Sequence, residues 1–309
     1  MCYSAQIERD YGRYLRVVGP QNALNKEDFV RKYWWRVEDP KIKIPKAVDA
    51  GFKNPKTDDE KKVADAIAAY NGMRLATCEQ TVFEQKKRAA DAERKLQTKV
   101  TKKAQEDIRI GNKNVTDNLR WIADIKRTEI QDKDARMFPG WYAPVIVIEN
   151  GKRTIKLMRY QCRPAGTPKF LDKQLETYNA RRDNLAGKFW KPVFGYSHGI
   201  MIANAFFENV ETEEKGKHVL EFRPRGLSEM YVAVLWSHWK EGDEELDSFA
   251  AITDEPSPEV AAAGHDRCII PIKEENIEAW LNPDAKNLDA MQAILEDRAR
   301  PYYEHRMAA

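Results

Sequence analysis

The second residue of this chain is a cysteine, and that position offers chemistry no internal cysteine has. Once Met1 is removed, Cys2 carries a free α-amine next to its thiol. The amine titrates at about 7.7–8.0 and the thiol near about 8.5, so both nucleophiles are partly available at neutral pH. Such an aminothiol traps aldehydes: the amine forms an imine and the sulfur closes a five-membered thiazolidine. Toward an amide or ester, the same pair is a thiolate with its own amine as base. Either route needs a carboxylate or imidazole to move protons, polar groups to orient the substrate, and cations if it carries phosphate.

Three segments supply those groups. The first is Tyr178-Asn179-Ala180-Arg181-Arg182, followed by Lys188-Phe189-Trp190-Lys191-Pro192. The second, Ile202-Ala203-Asn204-Ala205-Phe206-Phe207-Glu208, ends an apolar run on a carboxylate. The third is Gly264-His265-Asp266-Arg267-Cys268. Each residue also has a plainer reading. Cys2 is then an ordinary small residue, Asn179 a turn former, Glu208 the first solvent residue after a strand, and His265 a surface histidine like His198, His218, His238 and His305.

The elements that must position these groups change character twice, near residues 40 and 138. Between those points the spacing is helical, with Val63, Ile67 and Tyr70 on one face. After an expected break at Asn71-Gly72, Leu75, Cys78 and Val82 repeat the pattern. Residues 86–109 are almost purely polar, with nine basic residues against four acidic ones, either a solvated face or a nucleic-acid contact. Val115, Leu119, Ile122 and Ile125 then form a second apolar stripe. A helical hairpin or coiled-coil arm is expected over 40–137, inserted in a single domain spanning 1–309.

After residue 138 the period becomes that of strands. Residues 143–149 (APVIVIE) and 153–160 (RTIKLMRY) flank Asn150-Gly151, the signature of a type I′ hairpin. Further strands are expected at 199–207, 218–222, 230–236, 249–253 and 268–272, and a short helix at 274–281. The fold class is therefore α+β, a compact, mainly antiparallel and barrel-like β-core carrying the helical arm. No internal repeat and no Walker or Rossmann glycine loop is present in the sequence. No stretch approaches the ~20 apolar residues that span a bilayer, and the first residues lack a signal-peptide core. A cytoplasmic protein without membrane association is expected. Cys2, Cys78, Cys162 and Cys268 are widely spaced, which points away from disulfides and from a structural metal. A net charge of +3 alone does not select a nucleic-acid partner.

Taken in order, Met1-Cys2, Asn179-Ala180-Arg181, Phe206-Phe207-Glu208 and His265-Asp266-Arg267 resemble the SRAP (SOS-response-associated peptidase) family. Its usual pattern is Met-Cys-Gly-Arg, Asn-Ala-Arg-x-Glu, Trp-x-Glu and His-x-Arg-Met-Pro. Lys191-Pro192 behind Lys188 also fits, and the resemblance covers roughly residues 1–20 and 138–285. It implies that Cys2, exposed by self-removal of Met1, forms a thiazolidine with the ring-opened sugar of an abasic site in single-stranded DNA. Glu208 would shuttle protons at the amine and sugar oxygen, His265 would assist ring opening and reversal, and Asn179 would hold the cysteine and the sugar. Arg181, Lys188 and Arg267 would contact DNA, with no cofactor and no metal.

Some positions depart from the pattern. Tyr3 and Ser4 replace Gly-Arg, Asp183 replaces Glu, Phe206 replaces Trp, and Cys268 replaces Met without the Pro that follows it. Trp141-Tyr142-Ala143-Pro144 stands where an Asn-x-Ala-Pro segment is usual. The insertion has no counterpart in compact members, and a protein partner for it is unknown. Two other readings stand beside this one: an N-terminal-nucleophile amidohydrolase, which needs layered sheets between helices, and a non-catalytic binding module working through the arm.

Overall fold

In a computed structural model of the chain, the described residues are 4–8, 11–19, 26–174, 176–212 and 216–308. Met1, Cys2 and Tyr3 lie outside them. The chain begins with β1 (Ser4–Ile7), followed by α1 (Tyr11–Val18), α2 (Lys26–Glu38), α3 (Lys46–Ala50), α4 (Asp58–Thr98) and α5 (Lys102–Lys126). Then come β2 (Arg136–Met137), β3 (Tyr142–Glu149), β4 (Lys152–Tyr160), β5 (Asn179–Arg181), β6 (His198–Thr212), β7 (Gly216–Pro224), β8 (Met230–Glu241) and β9 (Glu244–Asp254). The last elements are α6 (Pro258–Ala262), β10 (Cys268–Ile269), β11 (Pro271–Ile272), α7 (Ile277–Leu281), α8 (Leu288–Glu296) and β12 (Tyr303–Met307).

The β3–β4 hairpin turns at Asn150 and Gly151, whose φ values of 53° and 71° suit the expected type I′ turn. Next to it, β4 meets β9 in parallel through Arg159↔Ser248 and Tyr160↔Phe249. Antiparallel pairing then runs from β9 to β8, from β8 to β6, and from β6 back to β3 at Ile146↔Ile200. Five strands therefore close into a mixed barrel in place of two stacked layers. Alternation divides its side chains. Val145, Met158, Met201, Val232, Val234 and Phe249 cluster in the lumen. Ile146, Ile155, Ile200, Leu235 and Ile252 face outward, under Tyr14, Phe29, Trp280 and Leu295 of α1, α2, α7 and α8. Three of those covering helices, α1, α2 and α8, lie in stretches with no assignment from sequence, as does strand β12.

The helical hairpin is present, with two corrections. Helix α4 runs unbroken through Asn71-Gly72, and the reversal falls at residues 99–101. A mid-helix glycine costs about 1 kcal/mol against alanine, which the burial of Val63, Ala66, Tyr70 and Cys78 offsets. Thr57 and Thr101 cap the two helices, each accepting an N–H three residues on at 3.2 Å. The seam is also narrower than the apolar stripe suggested. Leu119 is 48% exposed, while Ala104, Gly111 and Asn118, spaced seven apart, are the buried residues of α5. A Cβ on Gly111 would stand 3.0 Å from the Gln85 carbonyl and 3.2 Å from Ala89 Cβ, so small residues set the helix separation.

Candidate active site

Strand β6 organises one end of the barrel. On one edge β1 lies antiparallel to it, with Ser4 opposite Phe207 and Ala5 opposite Phe206. On the other, β7 places Leu220 opposite Glu208. Glu208 shares its face with Phe206 and Val210, both in the lumen cluster, and is fully buried. The plainer reading of Glu208 as a solvent residue is therefore wrong, because β6 continues to Thr212.

His265 reaches Glu208 from the loop between α6 and β10. Gly264 makes the turn with φ +93°, donating its N–H to the Ala261 carbonyl at 2.9 Å. A Cβ there would also meet Val210 Cγ1 at 3.0 Å. The turn places His265 Nε2 3.1 Å from Glu208 Oε2. Nδ1 faces the Arg267 N–H at 3.2 Å and the Arg267 carbonyl at 3.0 Å. The first donates to a neutral ring and the second accepts from a protonated one, so the loop accommodates both states. Burial holds the His265 pKa below its ordinary value of 6.5, which favours the neutral imidazole. Cys268 is no second nucleophile: burial, then the Glu208 charge, pushes its thiol up to about 12.

Asn179 stands at the same end, where β5 takes over from β4 along β9 through Asn179↔Ala251. It is buried, and the Tyr160 hydroxyl donates to its Oδ1 at 3.4 Å. The cations gather less tightly. Arg181 is exposed and donates from Nε to Asp183 Oδ1 at 3.0 Å, while Arg267 Nη2 lies 3.9 Å from Asp183 Oδ2. Asp183 thus ties Arg181 and Arg267 into one rim, and Arg181 in turn holds its carboxyl below the usual range. Lys188 is exposed on the loop after the Arg182–Asn184 turn and makes no ion pair among the described residues. Phe206 is no stacking surface: it is buried against Phe222, with centroids 5.1 Å apart and planes 11° apart.

Two residues at this end were missed from sequence. Tyr160 shares the lumen-facing parity of Met158, a signal the strand period contained. Arg136 gave none, because its partner is 132 residues away: its Nε donates to the Ser4 hydroxyl at 3.0 Å. Its guanidinium also lies 3.9 Å from the Phe207 ring centroid, so a cation stands beside residue 4 although that residue is not basic.

A 121-residue stretch is 32% identical to the abasic site processing protein YobE of Bacillus subtilis (strain 168), covering 38% of this chain and 54% of that protein. The chain thus spans about half the length of that curated relative. Among solved structures, a protein of Bordetella bronchiseptica aligns at TM-score 0.47 and 18% identity, over 59% of this chain and 90% of that one. A protein of Bacteroides thetaiotaomicron aligns at TM-score 0.47 and 17% identity, over 57% and 78%. No helix among the described residues is long and apolar enough to cross a membrane. Residues 90–308, well over half of the sequence, match the model of the SOS response associated peptidase (SRAP) family, and the chain belongs to that family.

Proposed function

We propose that this protein processes abasic sites in single-stranded DNA by capturing them covalently through Cys2 after loss of Met1. The observation that carries the reading is the His265–Glu208 pair, 3.1 Å apart in a buried barrel end, on the strand that pairs with β1. Cys2 precedes Ser4 by only two residues in the sequence. Ser4 in turn sits opposite Phe207, the neighbour of Glu208. The name of the Bacillus subtilis relative supports the same substrate.

The steps balance without a redox partner. The amine of Cys2 adds to the C1 aldehyde of the ring-opened sugar, and loss of one water gives the imine. The thiol then adds across C=N, its proton passing to nitrogen, and the thiazolidine closes. Glu208 takes the proton from the attacking amine and protonates the departing oxygen, and neutral His265 moves the proton that opens or recloses the sugar ring. Asn179, braced by Tyr160, orients the sugar, and Arg181, Arg267, Lys188 and Arg136 meet phosphates. The family's peptidase label fits self-removal of Met1. Residues 40–137 are an insertion in one domain, a reading supported by β1–β2 pairing (Ala5↔Met137), which joins the chain on either side of the helices.

The test is incubation with single-stranded DNA carrying one abasic site, followed by a denaturing gel. A shifted band is expected for wild type and none for Cys2→Ala. No adduct from protein whose intact mass shows loss of Met1 sinks the reading.

A further inference from the structure

Between the helical hairpin and the α3 segment, with residues 128–134 and Trp141, lies a cavity of about 780 Å³ that the proposed chemistry does not use. Eight cationic side chains line it against three carboxylates, and those three are already engaged. Asp49 holds Arg36 at 2.7 Å, and Asp124 and Asp134 each hold Arg127 at 2.8 Å. Among the described residues, no carboxylate lies within ion-pair distance of Lys43, Lys53 or Arg74. Lys46 points its ammonium at the backbone carbonyls of Asp124 and Arg127. The cavity therefore holds a surplus of positive charge in a concave space of ligand-binding size.

Aromatic rings share the lining. Trp121 of α5 remains 45% exposed there, and Trp141 forms part of the wall. From Trp141 a continuous path leads to the candidate active site. Its ring is 5.4 Å from Phe138, the Arg136 guanidinium is 4.9 Å from that same ring, and Arg136 bonds Ser4.

We propose that this cavity is a nucleotide-binding site, taking a phosphate among Lys43, Lys53 and Arg74 and a base against the exposed ring of Trp121. Base–aromatic stacking beside uncompensated cations is the chemistry that holds single strands without reading sequence. The ligand is either a free nucleotide or a nucleotide unit of a DNA strand. The path to Ser4 favours the strand, and in that form the proposal rests on the capture reading above.

The experiment uses undamaged fluorescein-labelled oligothymidylate and, separately, dTMP, with the full-length protein, Trp121→Ala, and the double variant Lys53→Glu/Arg74→Glu. Undamaged DNA has no aldehyde, so binding is read independently of Cys2. Unchanged thermal melts establish that the variants are folded. Oligonucleotide affinity is expected to fall at least about tenfold in each variant at low salt. For the double variant, the slope of log K against log salt should flatten by about 0.7, the value for one lost phosphate contact on a single strand. Saturable tryptophan quenching by dTMP identifies the free nucleotide as ligand, and a response to the oligonucleotide alone identifies the strand. Either result supports the site. Wild-type protein that binds neither probe, or folded variants that bind both as wild type does, overturns it. Abasic-site crosslinking in the same samples separates the two ideas. Crosslinking with normal variant binding removes the cavity proposal alone, and variant-sensitive binding without any crosslink removes the capture reading alone.

Discussion

At the scale of single residues, what matters at the barrel end is burial around a short contact. A carboxylate with no exposed surface and an imidazole 3.1 Å away occupy a medium where charge is costly. Because burial lowers the His265 pKa, the neutral ring persists below pH 6.5. Single-turnover capture should therefore decline gradually below pH ~8 as the Cys2 amine protonates, and a second, steeper acid limb should appear only below pH 6.5, where His265 protonates. Glu208→Gln keeps the shape and removes the base, and should slow capture about 10²–10⁴-fold. His265→Asn should remove that second limb and leave the decline that belongs to the amine. Wild-type rates and pH profiles in both variants would show that these side chains move no protons. Glu208 itself was legible as a chemical candidate, but its burial was not. Strand parity names a face, and only the closed barrel turns that face inward.

At the scale of elements, one dipeptide met two fates. Asn150-Gly151 turns the chain, as its flanking two-residue alternation implied, whereas Asn71-Gly72 lies inside α4. The local preference is the same in both places, and the flanking period decides which partner surface rewards it. The hairpin seam shows the same limit. Large apolar residues were the expected contact, but Ala89 and Gly111 let α4 and α5 approach closely instead. Gly111→Leu should therefore cost about 1–3 kcal/mol by overpacking, measured by urea denaturation followed by circular dichroism. A change below about 0.5 kcal/mol would mean that the helices are free to separate.

Across the whole molecule, the two barrel ends differ in kind. One holds Glu208, His265 and Asn179. The other closes on an ion network in which Asp247 bonds Lys32 at 3.2 Å and Lys156 at 3.1 Å, its carboxyl held at about 2 despite burial, by Lys32 and Lys156. Under the covering helices, His198 is buried rather than a surface histidine. It accepts the Gly195 N–H at Nε2 (2.8 Å) and meets the Trp280 carbonyl with Nδ1 (3.1 Å). Burial lowers its pKa from 6.5 to about 3. The unfolded chain therefore binds a proton that the folded chain refuses, and stability present above pH 6.5 is lost as pH falls toward 3. From pH 6.5 to 5 the loss from His198 is about 2 kcal/mol, and His265 adds to it with the same sign. His198→Gln should lose less over that interval in urea titrations at the two pH values. Equal losses would show that His198 is not the group responsible.

What the sequence determined by itself was local. The β3–β4 turn, the alternation that marks the strands, the polar helical stretch and the order of Cys2, Asn179, Glu208 and His265 all reside in neighbouring residues or in their succession. What tertiary structure decided was everything that closes a loop in the chain. It set the parallel β4–β9 pair that completes the barrel, the meeting of Glu208 with a histidine 57 residues away, and the Arg136–Ser4 contact across 132. It also formed the basic cavity between the hairpin and the α3 segment. Backbone preference and side-chain period act over a few residues, whereas burial and charge compensation depend on which distant segments share a space.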